Sequence, residues 1–209
     1  MEQLLHRPFF MKKNIFLLLI LVFPILSFAI APSVLKNPDA DIKSHYADST
    51  RFRVRELSIA RHAHAEAQTI LKKIKADLGS DLDDEFEDAK MPLTFYVVYD
   101  KAKYIGIMLC TKARLPDGFL ELFVAYHPTG QVRDVYIQAM QSKDANAFRS
   151  KVYREQFRKY GLNRDWEYSE VYPPARLPSA EMLKEHQLFL RAVKYNFLIV
   201  KYFYNKFKE

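Results

Sequence analysis

Histidine is the commonest metal ligand in proteins, and two histidines stand close together in this chain. His62 and His64 lie in the segment "RHAHAE". Apolar residues at helical spacing run through this segment, and residues two apart on a helix point about 200° away from each other. The two imidazoles therefore cannot bind one metal ion, and we interpret them as solvated helix residues.

Two further features bear on metal and redox chemistry. The chain has one cysteine, Cys110, so an intrachain disulfide, an iron–sulfur cluster and a CxxCH haem site are excluded. Cys110 falls in a β-type run and is expected to be a small core residue, with a redox-sensitive thiol as the alternative. The acidic run "SDLDDEFED" (80–88) lacks the ligand spacing of an EF-hand and indicates a solvated loop.

Basic side chains are concentrated on one predicted helix. They are Arg149, Lys151, Arg154, Arg158 and Lys159. We interpret them as a solvated face. Single-stranded nucleic-acid binding would also require exposed aromatic side chains for base stacking, and the sequence does not place any beside these residues. We therefore expect no nucleic-acid partner.

The segment "PPARLPSAEML" (173–183) joins a proline-rich stretch to a helix. No helix runs through the three prolines, because proline fixes φ and lacks the N–H donor. Ser179 fits the N-cap of the helix that follows. These residues alone predict a linker and leave open whether the segment also binds a ligand.

Length and composition predict one folded domain with an export or anchor segment. The chain has 209 residues, of which 49% are hydrophobic and 27% are charged, so disorder is not expected. The net charge is +7. Such an excess suits an anionic membrane surface or a phosphate-bearing ligand, or reflects only a basic surface.

The N-terminus has the layout of a secretory signal peptide. Lys12 and Lys13 precede an unbroken apolar or small-residue run that ends at Ala31, and Met11 is an alternative start. Residues 1–31 are therefore expected to be a signal peptide cleaved after Ala29, or an uncleaved membrane anchor, since the run is close to the ~20 residues that span a bilayer. We expect an extracytoplasmic, periplasmic location, either soluble after cleavage or anchored.

The remaining chain divides into a tether, residues 32–51, and a domain, residues 52–209. Apolar residues at three- and four-residue steps predict a helix from Val54 to Leu78. Four β-type runs separated by turn signals then predict an antiparallel meander. These runs are 93–100, 103–111, 119–126 and 131–140.

Two helices are expected after the meander, one over about 144–160 and one from about 179 toward 207. An apolar stripe predicts that the last helix packs on the domain, although a helix so rich in apolar residues also suits a membrane or a partner. The stripe consists of Leu183, Leu190, Val193, Phe197 and Val200. The fold class is therefore α+β: a four-stranded antiparallel meander with a helix before it and two helices after it.

Three consecutive segments give the chain a resemblance to a known family. They are "FYVVYDKAKYIGIMLC" (95–110), "LELFVAYHPTGQVRDVYI" (120–137) and "FRSKVYREQFRKYGL" (148–162). Their order and content resemble the extracytoplasmic FMN-binding domain family, which supplies flavin-carrying subunits of Rnf and sodium-pumping NADH:quinone reductase complexes. The matching positions are Gly106, Gly130, Val132, Val135, Phe157 and Lys159.

The resemblance implies a flavin site whose signature residues have changed. In the family, FMN is attached through its phosphate to the Thr of a Ser-Gly-Ala-Thr segment before the last helix, and a Glu-x-x-Gly lies near the flavin. Here Arg176 takes the place of the Thr, three residues before Ser179, and Glu-x-x-Gly falls on residues 142–145, which begin with Ser142 and Lys143. Arginine has no hydroxyl for a phosphoester but is a good phosphate donor.

The resemblance implies that Arg176, Ser179, Ser142 and Lys143 bind any FMN, and that they bind it non-covalently. The expected function is extracytoplasmic flavin-based electron transfer, or descent from it, with a membrane electron-transfer or envelope protein complex as partner. The alternatives are a cofactor-free structural or assembly subunit of such a complex, and a binding module for an anionic lipid or small ligand.

Overall fold

A single antiparallel sheet forms the centre of the fold. The structure, a computed structural model, describes residues 34–57, 65–79, 93–162, 164 and 166–208. The five strands are β1 (Arg51–Leu57), β2 (Leu93–Asp100), β3 (Lys103–Leu115), β4 (Gly118–Tyr126) and β5 (Val132–Met140). They are paired in chain order, β1-β2-β3-β4-β5, so β1 and β5 are the edge strands. The predicted α+β class and antiparallel meander are confirmed.

Helices lie before and after the meander. They are α1 (Pro38–His45), α2 (Ala65–Leu78), α3 (Ala145–Arg149), α4 (Lys151–Glu155) and α5 (Ala180–Lys208), with short 3-10 turns at Gln156–Lys159 and Tyr168–Glu170. Among the helices that the structure describes, none is both long enough and apolar enough to cross a bilayer. The predicted signal or anchor segment, residues 1–31, lies outside the described residues.

The prediction of four strands was wrong, because β1 was interpreted as the start of a helix. Val54 and Leu57 fit a helical stripe, yet they lie in β1, opposite Tyr96 and Leu93 of β2. The segment "RFRVREL" also alternates arginine with other residues at the two-residue period of a strand. Pairing with the buried strand β2 decides between the two periods.

The segment interpreted as a tether, residues 32–51, contains α1, which packs on one face of the sheet. The Asn37 side chain accepts from the Ala40 N–H, and Pro38 occupies the first turn, where its missing N–H costs nothing. Ile42 and Tyr46, four residues apart, are each 1% exposed. Their burial against the sheet explains why this polar segment is ordered.

Helix α5 packs across the opposite face. Four of its five predicted inward residues are buried, whereas Leu183 is 42% exposed. In the middle of α5, the Asn196 amide donates to the Leu109 carbonyl and to Thr111 Oγ1, both at 2.8 Å, and accepts from the Tyr126 hydroxyl at 2.7 Å. Because an unpaired buried amide is costly, this network fixes the position of α5 on β3 and β4.

The helix predicted over 144–160 is broken into α3, α4 and a 3-10 turn. Ser150 is extended, with φ −58° and ψ 141°, and its side chain accepts from the Tyr153 N–H to begin α4. The break changes the helical phase, so Phe148 and Tyr153 are both buried although they are five residues apart. Val152, next to the buried Tyr153, is 77% exposed and faces solvent.

Candidate functional site

The structure brings together the two segments predicted to bind FMN. Ser142 and Lys143 follow β5, and Ser179 directly precedes α5. The Ser142 hydroxyl donates to Glu185 Oε2 at 2.7 Å, and the Lys143 ammonium pairs with the Glu181 carboxylate. The first two turns of α5 therefore lie against the end of β5, as a shared site requires.

Ser179 and Arg176 differ in their surroundings. Ser179 caps α5, and its Oγ accepts from the Met182 N–H at 3.1 Å, as the sequence predicts. Arg176 is exposed and forms no hydrogen bond or ion pair with any residue that the structure describes. Its neighbour Leu177 is 92% exposed. The prolines thus present a cationic and an apolar side chain to solvent just before the helix.

Two carboxylates dominate the electrostatics of this site. Glu185 is only 3% exposed. Burial raises the pKa of Glu185 above its ordinary value, the Ser142 hydroxyl opposes the rise, and the nearby Asp144 and Glu181 add to it. Sequence reasoning missed both glutamates because the family resemblance points to the residues before the helix and not to those within its first turns.

These residues do not fit an FMN phosphate as they are arranged. A phosphate dianion needs unoccupied donors and positive charge. Ser142 and Lys143, the donors nearest the end of β5, are already bound to Glu185 and Glu181, whose negative charge opposes a second anion. The arrangement is able to join β5 to α5, and it offers Arg176 alone as a free cation among the four predicted residues.

The residues that carry the family resemblance have structural roles here. A Cβ on Gly106 would lie 2.6 Å from a ring carbon of Tyr46. The Tyr46 hydroxyl reaches this point of β3 and accepts from the Tyr126 N–H at 3.0 Å, beside the carbonyls of Ile107 and Tyr126. Glycine is therefore required so that a tyrosine from α1 can reach the backbone between β3 and β4.

Gly130 and Lys159 likewise serve the fold. Gly130 has φ +80° in the β4–β5 turn, and a Cβ there would lie 2.3 Å from the Leu162 side chain. Lys159 Nζ donates to the Glu170 carbonyl at 2.7 Å and lies 3.1 Å from the Glu170 carboxylate. Glu170 also accepts from Arg164, so one carboxylate connects three points of the segment after α4.

The basic side chains after β5 are solvated in part, since Lys151, Arg158 and Lys159 are exposed, but they also make contacts that the prediction did not include. Three arginines donate to alternate backbone carbonyls on the outer edge of β5. Arg158 Nε lies 3.0 Å from the Arg133 carbonyl, Arg154 Nη1 3.2 Å from that of Val135, and Arg149 Nε 3.4 Å from that of Ile137. They supply donors that an edge strand otherwise lacks.

A cleft of about 350 Å³ lies beside this edge. Asp134 Oδ2 accepts there from Arg154 Nη1 at 2.7 Å and lies 3.1 Å from His45 Nδ1. Burial raises the pKa of Asp134, but the hydrogen bond with His45 and the charge of Arg154 outweigh burial, so the pKa lies below its ordinary value. These contacts join α1, β5 and α4.

The other predicted candidates have the following positions. Cys110 is 2% exposed, in agreement with a core residue. Within the part of the chain that the structure describes, no three His, Cys, Asp or Glu side chains are grouped to hold a metal ion. His62, His64 and the acidic run 80–88 lie outside the described residues.

Another histidine, His186, is buried between the Val171 carbonyl and the Tyr153 hydroxyl, at 3.2 and 2.8 Å. A carbonyl only accepts, so Nε2 of the neutral ring donates to it and Nδ1 accepts from the tyrosine. Burial lowers the pKa of His186, and the Val171 carbonyl opposes this.

No family model, curated protein or solved structure matches the chain.

Proposed function

We propose that this chain is an FMN-binding-domain-like protein of the cell envelope that works without a resident flavin, as a structural or assembly subunit of an envelope complex. The observation that carries the proposal is the pairing of Ser142 with Glu185 and of Lys143 with Glu181. The groups that would bind a flavin phosphate instead connect β5 to α5. The envelope location rests on the export signal that the sequence predicts in residues 1–31.

The buried polar groups around α5 support a scaffolding role. Asn196 and His186 each contact fixed partners, and together they tie α5 to the sheet and to α4. A domain whose polar side chains are used for internal connections presents a rigid surface to a partner. Such rigidity suits an assembly subunit that binds a membrane electron-transfer or other envelope protein complex.

Non-covalent FMN remains the second candidate, because Arg176 is exposed and unpaired among the described residues beside the N-terminus of α5. A guanidinium and a helix N-terminus both favour a phosphate. In this reading Arg176 and Ser179 would bind the phosphate, with Ser142 and Lys143 nearby, and the flavin would supply electron transfer. Arginine offers no hydroxyl, so the cofactor would leave on denaturation.

The test is an FMN titration of the purified wild-type protein, followed by flavin absorbance and fluorescence. We expect a colourless preparation and no binding. A double variant, Glu181→Gln with Glu185→Gln, removes the opposing charge and is expected to gain weak FMN binding. The matched control, Asp48→Asn with Asp117→Asn, makes the same change in net charge at two exposed positions and is expected to gain none.

Two results would overturn the cofactor-free proposal. A yellow wild-type protein that releases one FMN per chain on denaturation would establish the second candidate. A flavin that stays attached after denaturation would mean that another hydroxyl, such as that of Ser179, accepts the phosphoester. The envelope location is tested separately with a reporter fused after Ser33, which should be active only outside the cytoplasm.

A further inference from the structure

The outer edge of β1 is open in the part of the chain that the structure describes. β1 pairs with β2 on one side, and no other described segment pairs with its second side. The edge of β5, by contrast, receives arginine donors and the Val132 N–H···Tyr160 carbonyl hydrogen bond. An open edge strand has backbone N–H and C=O groups that can pair with another strand.

One face of β1 is strongly cationic. Arg51, Arg53 and Arg55 alternate along the strand, so their side chains lie on the same face, and Arg51 and Arg53 are exposed. Their guanidinium carbons lie 5.0 and 5.7 Å from the centroid of the Tyr99 ring. Neither forms an ion pair with a residue that the structure describes.

Contact with one aromatic ring places both guanidinium groups on the same part of the sheet face. Each is a good partner for a carboxylate, so this part of β1 is suited to acidic side chains. Charged side chains on an edge strand also serve to prevent self-association. That role accounts for the charge of β1 but not for the position of both guanidinium groups against Tyr99.

The second face of β1 carries the apolar residues Phe52 and Val54, followed by the exposed Glu56 at its end. Phe52 packs against the Tyr96 ring, at 5.8 Å between centroids, and Val54 beside it is 51% exposed. A strand added to this edge would place alternate side chains on the two faces. Its complementary sequence would therefore alternate acidic residues, opposite the arginines, with apolar residues beside Val54.

We propose that the outer edge of β1 binds an extended acidic segment of a partner protein as a sixth strand. Main-chain hydrogen bonds supply affinity in this kind of recognition, and the alternate side chains supply specificity. A second copy of β1 is a poorer occupant. If the β1 strands of two chains paired with their arginines on the same face of the sheet, arginine side chains would lie opposite one another and repel. The inference rests on the proposed function, since it names the surface through which an assembly subunit binds its complex.

The experiment measures binding of a labelled peptide that alternates glutamate with valine, by fluorescence anisotropy on the full chain. Arg51→Glu with Arg53→Glu is expected to weaken binding by at least about tenfold. The matched control, Lys72→Glu with Lys184→Glu, makes the same charge change at exposed positions on α2 and α5 and should retain most of the affinity. Unfolding curves confirm that both variants are folded.

Two more measurements test the mode of binding. A peptide with proline at its central positions cannot supply the backbone donors and should not bind. Amide hydrogen exchange should slow in β1 and remain unchanged in β5 when the glutamate peptide is added. Binding should also weaken as salt is added, because carboxylates meet exposed arginines.

Any of four results would overturn the inference. These are no binding to the wild type, equal loss in both double variants, equal binding of the proline peptide, or dimerisation that protects β1 without peptide. The flavin titration does not use β1, so the two proposals can fail separately. A chain that binds both the acidic peptide and FMN contradicts the cofactor-free function but supports this inference. A chain that binds neither supports the cofactor-free function but contradicts this inference.

Discussion

Three arginines of β1 and three arginines that follow β5 lie at the two edges of the sheet, and the two sets do different things. Along β5 they come from the segment after the strand, and Arg149, Arg154 and Arg158 donate to outward-facing carbonyls of the strand. Along β1 they belong to the strand itself. Two of them, Arg51 and Arg53, lie against Tyr99 and extend from one face of the sheet.

The difference follows from strand geometry. Side chains leave a strand perpendicular to its hydrogen-bonding direction, so an arginine of an edge strand does not cap its own edge. An arginine from another element approaches in the plane of the sheet and reaches the carbonyls. The number of arginines near an edge therefore does not indicate whether that edge is closed. What matters is whether the arginines belong to the edge strand or to another element.

The largest effect is expected at the centre of the sheet, on which both edges depend. Gly106→Ala would force a Cβ against the Tyr46 ring and the Tyr126 carbonyl, at a φ of +154°. We expect a loss of about 3 kcal/mol or more in the free energy of unfolding, measured by denaturant titration. Gly79→Ala is the control, because Gly79 also has positive φ, +70°, but no atom within 4 Å, and should cost about 1 kcal/mol.

The next effect compares the two edges directly. Arg154→Met keeps the aliphatic stem but removes the donors to Asp134 and to the Val135 carbonyl. We expect a loss of about 2 kcal/mol, because a charged hydrogen bond is broken and its partners are left half-buried. Arg51→Met on β1 should change the free energy of unfolding by no more than about 0.5 kcal/mol.

Urea unfolding of both variants measures this pair of values. If Arg51→Met costs as much as Arg154→Met, the arginines of β1 close their edge as those of β5 do, and the comparison fails. If neither variant is destabilised, the carbonyls of β5 are satisfied by water, and its arginines are not required for a closed edge.

Much of the fold could be predicted from the sequence because its signals are local. Strands β2 to β5 are β-type runs separated by turn residues, and they lie within a few residues of their predicted bounds. β1 was missed because Val54 and Leu57, three residues apart, fit a helical stripe, and only pairing with β2 shows that the segment is a strand. The break at Ser150 was missed because a serine N-cap inside a helical pattern looks like a surface residue.

The candidate site was predicted less well because its contacts are distant in sequence. The approach of Ser142 to α5 was implied by the family resemblance, but its partner Glu185 is 43 residues away. Likewise, no local pattern shows that Arg149, Arg154 and Arg158 reach the carbonyls of a strand. Charge pattern alone predicted a solvated face there.

Lowering the pH should reduce the stability of the fold at the β5 edge, through Asp134. Its pKa is below the ordinary 3.8 in the folded chain, so the carboxylate stabilises the fold above that value. This contribution is lost in the acid window below the ordinary pKa of 3.8, as the pH falls through the lower pKa of the folded chain. Asp134→Asn should lose stability at neutral pH and show a shallower decline in that window.

The check is a series of denaturant titrations across the acid range, with Asp48→Asn as a control for the loss of an exposed carboxylate. An unchanged acid slope in Asp134→Asn would mean that the bonds from His45 and Arg154 do not perturb this carboxylate. The ion pair would then not contribute to closing the β5 edge.

The smallest effect tests whether the arginines of β1 are held in place. Arg51 and Tyr99 are opposite each other in the β1–β2 pair, with the guanidinium 5.0 Å from the ring centroid. A double-mutant cycle of Arg51→Met and Tyr99→Leu isolates this contact, and we expect a coupling of about 0.5 kcal/mol, as for an exposed cation–π pair. The pair Lys103→Met and Tyr99→Leu serves as the comparison for a cation elsewhere on the surface. Zero coupling would mean that solvent, and not Tyr99, sets the position of the guanidinium, and β1 would then present mobile charges where a fixed carboxylate site is proposed.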